Sequence, residues 1–159
     1  MRSDRLFAVD PGTDRSAWVL FEDGRPVDYG TKDNPDMVRW LSLMDPDDKT
    51  VLVVEMIACY GQRVGREVFE TCVQIGRMLQ AHRWLSHRIT RKEVTGLVCP
   101  GVAKPNDASV RAALIDRYGP GKAKAVGTKK APGPLHGIKG DEWAALAVGV
   151  AWMERKAEK

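Results

Sequence analysis

Apolar runs that stop at polar residues predict the first three strands of the chain. Residues 6–9 are apolar, end at Asp10 and precede a Pro-Gly pair, which is typical of a short strand buried on both faces. Residues 16–21 predict a second strand, and an Asp-Gly pair predicts a tight turn into a weaker third strand at residues 26–30. The three strands would form an antiparallel meander with Asp10 at the end of the first.

A helix and a fourth strand follow, and they bring a second carboxylate to the edge of the sheet. Asn34 is placed to cap a helix whose apolar face recurs every three or four residues up to Met44. Residues 50–54 form another β-branched run, which ends in Glu55. A strand reached through a helical crossover runs parallel to the first, so Asp10 and Glu55 would lie at the same edge of one sheet.

The second half of the chain alternates helices with one short strand. We expect a long helix with a core-facing apolar stripe at 62–82, a fifth strand at 86–90, a short helix at 91–98 and an amphipathic helix at 106–118. A final helix from about residue 140 is apolar nearly all round and therefore heavily buried. Asp141 shares a stripe of this helix with large core residues, so we expect its carboxylate to face the sheet. The pattern predicts one α/β domain over residues 1–159.

Length and cysteine content exclude several classes of protein. A chain of 159 residues is long enough to bury a core without disulfides, and its three cysteines are widely spaced. This spacing excludes a disulfide framework and, with scattered histidines, argues against a zinc site.

No apolar run reaches the roughly 20 residues that span a membrane. The first residues lead into a strand without a hydrophobic signal segment, so we expect a cytoplasmic location.

Positive charge is concentrated in one segment that is rich in glycine and proline. The net charge is +4 and the pI is about 9.0, which favours a polyanionic partner. No acidic residue lies between Asp116 and Asp141, and we expect a mobile basic loop there that either binds phosphate or is simply solvated. Its candidate DNA contacts are Lys122, Lys124, Lys129, Lys130 and Lys139.

Three further candidates for DNA contact follow the predicted strand that ends at Glu55. Tyr60 is the best aromatic candidate for stacking on a splayed base. Arg63 and Arg66 lie near the start of the long helix, where they would either contact phosphates or form a solvated face.

The acidic residues at the ends of the predicted elements suit metal-dependent hydrolysis of phosphodiesters. That reaction needs a nucleophilic water, charge neutralisation and in-line geometry, which two divalent ions roughly 3.5–4 Å apart supply together. Mg²⁺ prefers hard oxygen ligands, and carboxylates that converge from different elements provide them. Asp10 is the expected bridging ligand, since it lies on the central strand with Glu55 and Asp141 on either side.

Four motifs give the chain a resemblance to a known family. They are residues 8–13 (AVDPGT), 53–55 (VVE), 104–111 (KPNDASVR) and 140–147 (GDEWAALA). In this order and spacing the chain resembles the RuvC-type Holliday-junction resolvases of the RNase H-like superfamily, particularly the small phage and prophage versions. The resemblance implies an RNase H-like fold, with a five-stranded mixed sheet (antiparallel strands 1–3, parallel strands 4–5) flanked by helices. It also implies two Mg²⁺ or Mn²⁺ ions per active site and a homodimer that nicks two strands of a four-way DNA junction.

The resemblance further implies roles for individual residues. Asp10, Glu55 and Asp141 match the metal-binding acids of the family. Lys104 falls where the family places a basic residue near the scissile phosphate, which implies that it stabilises the transition state.

One position departs from the family pattern. Where these resolvases carry a further acid or histidine one turn before the last aspartate, this chain has Ile138. Glu142 or His136 would supply the fourth ligand instead, although Glu142 equally suits the helix dipole and His136 an ordinary loop position. Asp107 is most simply a residue that starts a helix.

Several alternative interpretations stay open at this point. The same site would serve the debranching of DNA during phage packaging, or an RNA-processing nuclease of the same fold. A non-catalytic DNA-binding module would use the basic loop and Lys104, and it would bind DNA equally well after Asp10→Asn. Asp10, Gly12 and Thr13 also match a phosphate loop of actin-like ATPases, but the chain is too short for their two-lobed form.

Overall fold

One mixed sheet organises the chain, and the computed structural model describes residues 4–159. The strands are β1 (Arg5–Asp10), β2 (Arg15–Glu22), β3 (Arg25–Asp33), β4 (Val51–Met56) and β5 (Ser86–Thr90). They lie in the order β3-β2-β1-β4-β5, with β1 to β3 antiparallel and with β4 and β5 parallel to β1. This arrangement confirms the expected five-stranded mixed sheet of an α/β fold.

Helices cover both faces of the sheet. They are α1 (Asn34–Leu43), α2 (Arg66–Ala81), α3 (Arg91–Val98), α4 (Asp107–Tyr118), α5 (Lys122–Ala125) and α6 (Glu142–Ala157), with a 3₁₀ turn at Pro46–Asp48. Residues of α1 and α2 pack on one face, and residues of α3, α4 and α6 pack on the other. Within residues 4–159, no helix combines the length and the apolarity needed to cross a bilayer.

The central strands are apolar throughout because both of their faces are covered. In β1, Leu6 and Ala8 pack in the layer with α6, whereas Phe7 and Val9 pack in the layer with α1 and α2. Alternate side chains of a strand point to opposite faces, so each layer receives every second residue. A continuous apolar run, rather than an alternating one, is therefore the mark of such a strand.

The outer hairpin is longer than the sequence predicted. Asp23 and Gly24 have φ angles of 49° and 80°, which a type I′ turn requires, so the predicted tight turn is confirmed. The third strand pairs along Arg25–Asp33 rather than only over residues 26–30. Its side chains are mostly polar and exposed, so the hydrophobic pattern underestimated it. Pro26 is tolerated because an edge strand needs ladder hydrogen bonds on one side only.

The longest predicted helix starts later than expected and is buried mainly in its second half. It begins at Arg66 rather than at residue 62, because Gly65 has an extended backbone with φ −86° and ψ 177°. Ile75 is buried as predicted, whereas Val68 and Cys72 of the same apolar stripe are only partly buried. The prediction of a core-facing stripe therefore holds for the C-terminal half of α2.

The basic segment that follows α4 is folded onto the core. It contains α5 and a short bridge between Gly127 and Pro132. Ala125 and Leu135 are fully buried, and the Leu135 N–H donates to the Ala125 carbonyl at 2.8 Å. The prediction of a mobile loop is therefore wrong, because the few apolar residues of this segment anchor it.

Candidate functional site

The register of β1 and β4 brings two carboxylates to one edge of the sheet. The two strands are parallel, and Ala8 lies beside Val53 in the layer that packs under α6. Side chains two residues apart on a strand point to the same face, so Asp10 and Glu55 follow on that face near the ends of their strands. The structure thus places these two acids together, as parallel strands ending in acids predicted.

Three helices begin at the same edge. α3 begins at Arg91 directly after β5, α4 begins at Asp107, and α6 begins at Glu142 with Asp141 in the N-cap position. A cleft of about 170 Å³ opens there, and its lining includes Arg91, Asp107, Asp141 and Trp143. Helix N-termini carry partial positive charge, which favours anionic groups beside them.

Burial and neighbouring acids make Asp10 an unusual carboxyl group. Its removal from water raises its pKa from an ordinary value of 3.8 to about 7, and the charges of Glu55 and Asp141 add to the rise. The charge of Arg91 acts in the opposite direction. Burial also raises the pKa of Glu55, and Arg91 again opposes the rise. Two carboxyl groups that resist ionisation at an open edge mark a site that a bound cation would stabilise.

Arg91 and Asp107 complete this charged cluster, although the sequence pattern did not select them as site residues. The Arg91 Nη2 donates to Asp107 Oδ1 at 2.5 Å, and its Nη1 lies 3.9 Å from Glu55 Oε2. That Glu55 oxygen is buried and accepts no hydrogen bond within residues 4–159. A usable signal was present, because Arg91 directly follows a strand parallel to β4 and so reaches the same sheet edge as Asp10.

Asp141 and Glu142 lie in contrasting environments, and that of Asp141 differs from the prediction. Asp141 is exposed rather than turned toward the sheet, yet its charge acts on Asp10. Its predicted orientation is wrong because it lies at the open edge, before the first turn of α6. Glu142 is 3% exposed, and burial raises its pKa against a backbone hydrogen bond and the charge of Lys139.

The predicted lysine contacts are spread over a wide area. Lys104 is exposed in the loop between α3 and α4, whereas the cation that acts on both Asp10 and Glu55 is Arg91. Helix α4 has 12 residues and carries the chain about 18 Å away from the cleft before α5 begins. The lysines that follow are all exposed and lie on α5, in the next turn or just before α6: Lys122, Lys124, Lys129, Lys130 and Lys139.

The loop after β4 presents an aromatic side chain beside a cation. Tyr60 is 67% exposed, and Lys92 Nζ lies 5.8 Å from the centre of its ring. Arg63 is exposed in the same loop, and Arg66 pairs across one helical turn with Glu70 Oε1 at 3.6 Å. Because Lys92 is the second residue of α3, Tyr60 lies near the N-terminus of that helix.

A buried hydrogen-bond network holds the loop that follows Asp10. The Asn34 Nδ2 donates to the carbonyls of Gly12 and Thr13 at 2.9 and 3.0 Å, and its Oδ1 accepts from Ser16 Oγ at 2.6 Å. Asn34 is 1% exposed. The prediction that Asn34 caps α1 is wrong, because its side chain is turned into this loop. The network therefore determines where the backbone leaves β1.

The acids form an open arrangement. Within residues 4–159, no three side chains of Asp, Glu, His or Cys lie close enough to hold one metal ion as they stand. The chemistry of the donors nevertheless fits a hard divalent cation, since all are carboxylate oxygens and one of them, on Glu55, is buried without a hydrogen bond.

Comparisons with known proteins identify the fold. No protein-family model and no curated protein matches the sequence. The structure of "T. thermophilus RuvC in complex with Holliday junction substrate" matches with a TM-score of 0.65 at 12% identity, over 98% of this chain and 96% of that chain. The "Thermus thermophilus RuvC structure" matches with a TM-score of 0.60 at 13% identity, over 97% and 96% of the two chains.

At such identity the likeness speaks for the fold, and it agrees with the RNase H-like architecture that the motifs implied. The directions of the five strands are those expected from that resemblance. Over nearly its whole length, the chain has the fold of the RuvC Holliday-junction resolvases.

Proposed function

We propose that this chain is a metal-dependent endodeoxyribonuclease that hydrolyses phosphodiesters in branched DNA. The observation that carries the proposal is the meeting of Asp10 and Glu55 at one sheet edge, where the pKa of Asp10 is raised to about 7. The solved RuvC complex with a Holliday junction supports a four-way junction as the substrate. We propose that residues 1–159 act as one domain and work on DNA in the cytoplasm.

Asp10, Glu55 and Asp141 are the residues that would hold metal. Their carboxylate oxygens suit Mg²⁺ or Mn²⁺. The Glu55 oxygen that accepts no hydrogen bond can ligate a cation without breaking one. Asp10 responds to the charges of both other acids, so we assign it the position shared between two ions. When bound, such ions supply charge neutralisation and a nucleophilic water at neutral pH.

The two candidates for a fourth ligand, Glu142 and His136, each have another partner, and so does the nearby Asp107. Glu142 is buried beside Lys139 at the start of α6, which favours its interpretation as a helix-dipole partner. His136 Nδ1 lies 3.2 Å from a backbone carbonyl of the basic segment. Asp107 is bonded to Arg91. We therefore assign ligation to Asp10 and to the two acids whose charges raise its pKa most, Glu55 and Asp141.

Paired incision across a junction needs two sites on one assembly, and we propose a homodimer. Phe69 and Val73 of α2 are 63% and 56% exposed, and a spacing of four residues places them on one face of the helix. Ile75 and Met78 of the same helix pack toward the sheet. Helix α2 would then lie between the core and the second protomer, since large apolar side chains exposed together are typical of interfaces.

The loop after β4 and the helix starts beside it supply candidate contacts to the DNA strands. Tyr60 has an exposed ring suited to stacking on an unpaired base, and Lys92 beside it can meet a phosphate. Arg63 and Arg66 are exposed further along the chain and would extend this basic surface. Of the basic-segment lysines, Lys139 directly precedes the cleft residues Gly140 and Asp141, whereas Lys122, Lys124, Lys129 and Lys130 would contact DNA farther from the acids.

The test uses a labelled mobile four-way junction and a linear duplex of matched sequence, each incubated with Mg²⁺, Mn²⁺ or EDTA. Wild type is expected to nick the junction symmetrically and only with metal. Asp10→Asn is expected to bind the junction without cutting it. Asp116→Asn, which changes an exposed residue of α4, is the control and is expected to cut like wild type.

The other outcomes select other functions. If wild type and Asp10→Asn bind the junction equally and neither cuts, a non-catalytic DNA-binding module replaces the nuclease. If only linear DNA or RNA is cut, the protein is a nuclease but the four-way junction is not its substrate.

A further inference from the structure

We propose that Arg91 binds a phosphate of the nucleic-acid strand held at the carboxylate edge, and that Asp107 positions its guanidinium group. This role rests on the proposed function. The resemblance implied that Lys104 is the cation near the phosphate. The proposal assigns this role to Arg91, which lies outside all four motifs.

The helix start on which Arg91 lies fixes its backbone. Thr90 Oγ1 accepts from the Glu93 N–H at 3.3 Å, and the Thr90 N–H donates to Glu93 Oε2 at 2.7 Å. Glu93 also pairs with α6, where Arg155 Nη1 lies 3.6 Å from its Oε1. A capping box of this kind satisfies two backbone donors of the first turn and so holds the start of the helix. Arg91 therefore extends from a well-held position at the sheet edge.

The guanidinium group of Arg91 lies between two acids and is hydrogen-bonded to one of them. Its bond to Asp107 is 2.5 Å long, while 3.9 Å separates it from Glu55, which is beyond hydrogen-bond distance. The arginine side chain has five N–H donors. Within residues 4–159, the bond to Asp107 is the one hydrogen bond that the Arg91 side chain makes. The side chain is 41% exposed, so its unused donors open onto the cleft.

A phosphodiester that enters this site meets four carboxylates of its own sign. They belong to Asp10, Glu55, Asp107 and Asp141. Arg91 is the cation whose charge acts on both acids at the strand ends. Its planar fork matches two phosphate oxygens, a geometry that the ammonium group of lysine does not reproduce. Arg91 therefore has the free donors, the charge and the location needed to hold a strand beside the acids.

The experiment measures equilibrium binding of the four-way junction over a range of salt concentrations. It is run in EDTA and, in the Asp10→Asn background, with Mg²⁺. Arg91→Ala is expected to weaken binding about tenfold and to reduce the slope of log affinity against log salt by about one, as one lost phosphate contact requires. Arg91→Lys should keep the slope, because the charge is retained, but lower the turnover of the otherwise wild-type enzyme, because the fork is lost.

Asp107→Asn tests the positioning role separately. Removal of a negative charge should leave junction binding at least as tight as in wild type. Turnover should nevertheless fall several-fold, because asparagine loses the charge-assisted bond that orients the guanidinium group. Unchanged turnover in this variant would remove Asp107 from the proposal.

Arg5 provides a matched control at the opposite edge of the sheet. It lies between two carboxylates as Arg91 does, 3.3 Å from Glu22 and 3.1 Å from Asp48. Arg5→Ala is expected to bind and cut the junction like wild type, and thermal unfolding verifies that each variant is folded.

Two failures can be told apart. If Arg91→Ala binds the junction with the affinity and the salt slope of wild type under both conditions, the proposal is overturned. Arg91 would then serve only as a counter-ion of the acids. If the wild-type protein itself neither binds nor cuts the junction, both the proposed function and the role of Arg91 fail.

Discussion

Replacing Asp10 by asparagine is expected to stabilise the metal-free protein at neutral and alkaline pH. Burial, and then the charges of Glu55 and Asp141, raise the pKa of Asp10 in the folded protein to about 7. In the unfolded chain this carboxyl group ionises near its ordinary value of 3.8. As the pH rises from about 4 to 7, the unfolded chain loses the proton first, so the stability of wild type falls and then stays reduced.

The structure sets the size of this effect. The interval from 3.8 to about 7, at about 1.4 kcal/mol per pH unit, gives an upper bound of about 4 kcal/mol for the cost of ionised Asp10. Solvent reaches the open edge and screens the charges, so we expect half of this bound, or about 2 kcal/mol. In a chain of this length that corresponds to a melting temperature about 4–8 °C higher for Asp10→Asn at alkaline pH.

Thermal unfolding in EDTA, followed by circular dichroism at a series of pH values, measures the difference. Asp116→Asn serves as the control, because its exposed carboxylate lies on α4 away from the cluster, and it should melt like wild type throughout. Added Mg²⁺ should close or reverse the gap between Asp10→Asn and wild type, since a cation that binds the native carboxylates stabilises wild type more.

Two results would refute this reasoning. If Asp10→Asn is no more stable than wild type at alkaline pH, Asp10 ionises without penalty and the edge is not electrostatically strained. If the gap has the same size at acid and alkaline pH, its cause is packing rather than ionisation. Either result removes the electrostatic basis for a cation site here.

The remaining predictions concern catalysis and the surrounding fold. The Mg²⁺ concentration that gives half-maximal cleavage should fall as the pH rises through about 7, since Asp10 must lose its proton to ligate a cation, and a concentration that does not change with pH would contradict this. Asn34→Ala should destabilise the protein by about 2–3 kcal/mol in urea unfolding, because a buried hydroxyl and two carbonyls lose their partner; wild-type stability would mean that the network is dispensable. Gly149→Ala should cost about 1–3 kcal/mol, because its Cβ would lie 2.2 Å from Phe21 Cε2, whereas Gly96→Ala meets open space and should be neutral or stabilising.

Several elements could be predicted because one local signal dominates them. The fifth strand and the helix after it occur at residues 86–90 and 91–98, as predicted. The start of α2 was missed by four residues, because Gly65 interrupts a pattern that looks helical on either side. The full length of β3 was missed because it is an edge strand with few buried residues, and pairing rather than hydrophobicity determines its ends.

The candidate site was predictable to a similar degree. Asp10 and Glu55 each end an apolar run, and parallel pairing places such ends together without any further information. Arg91 and Asp107 are 16 residues apart on two helices, and their contact depends on how α3 and α4 lie against each other. Motif matching pointed to Lys104 instead, because it registers residue types and spacing but no distances.

Sequence patterns alone predict the presence of all five strands, most of the helices and the sheet edge at which Asp10 and Glu55 lie. Hydrophobic period and turn chemistry are local properties, and they carry that information. The exposure of Asp141, the burial of Glu142 and the position of Arg91 between Glu55 and Asp107 depend on how the helices pack, and no sequence pattern predicts them. Burial and the charges around a group come from elements distant in sequence, so the raised pKa of Asp10 arises only when the sheet and its helices have packed.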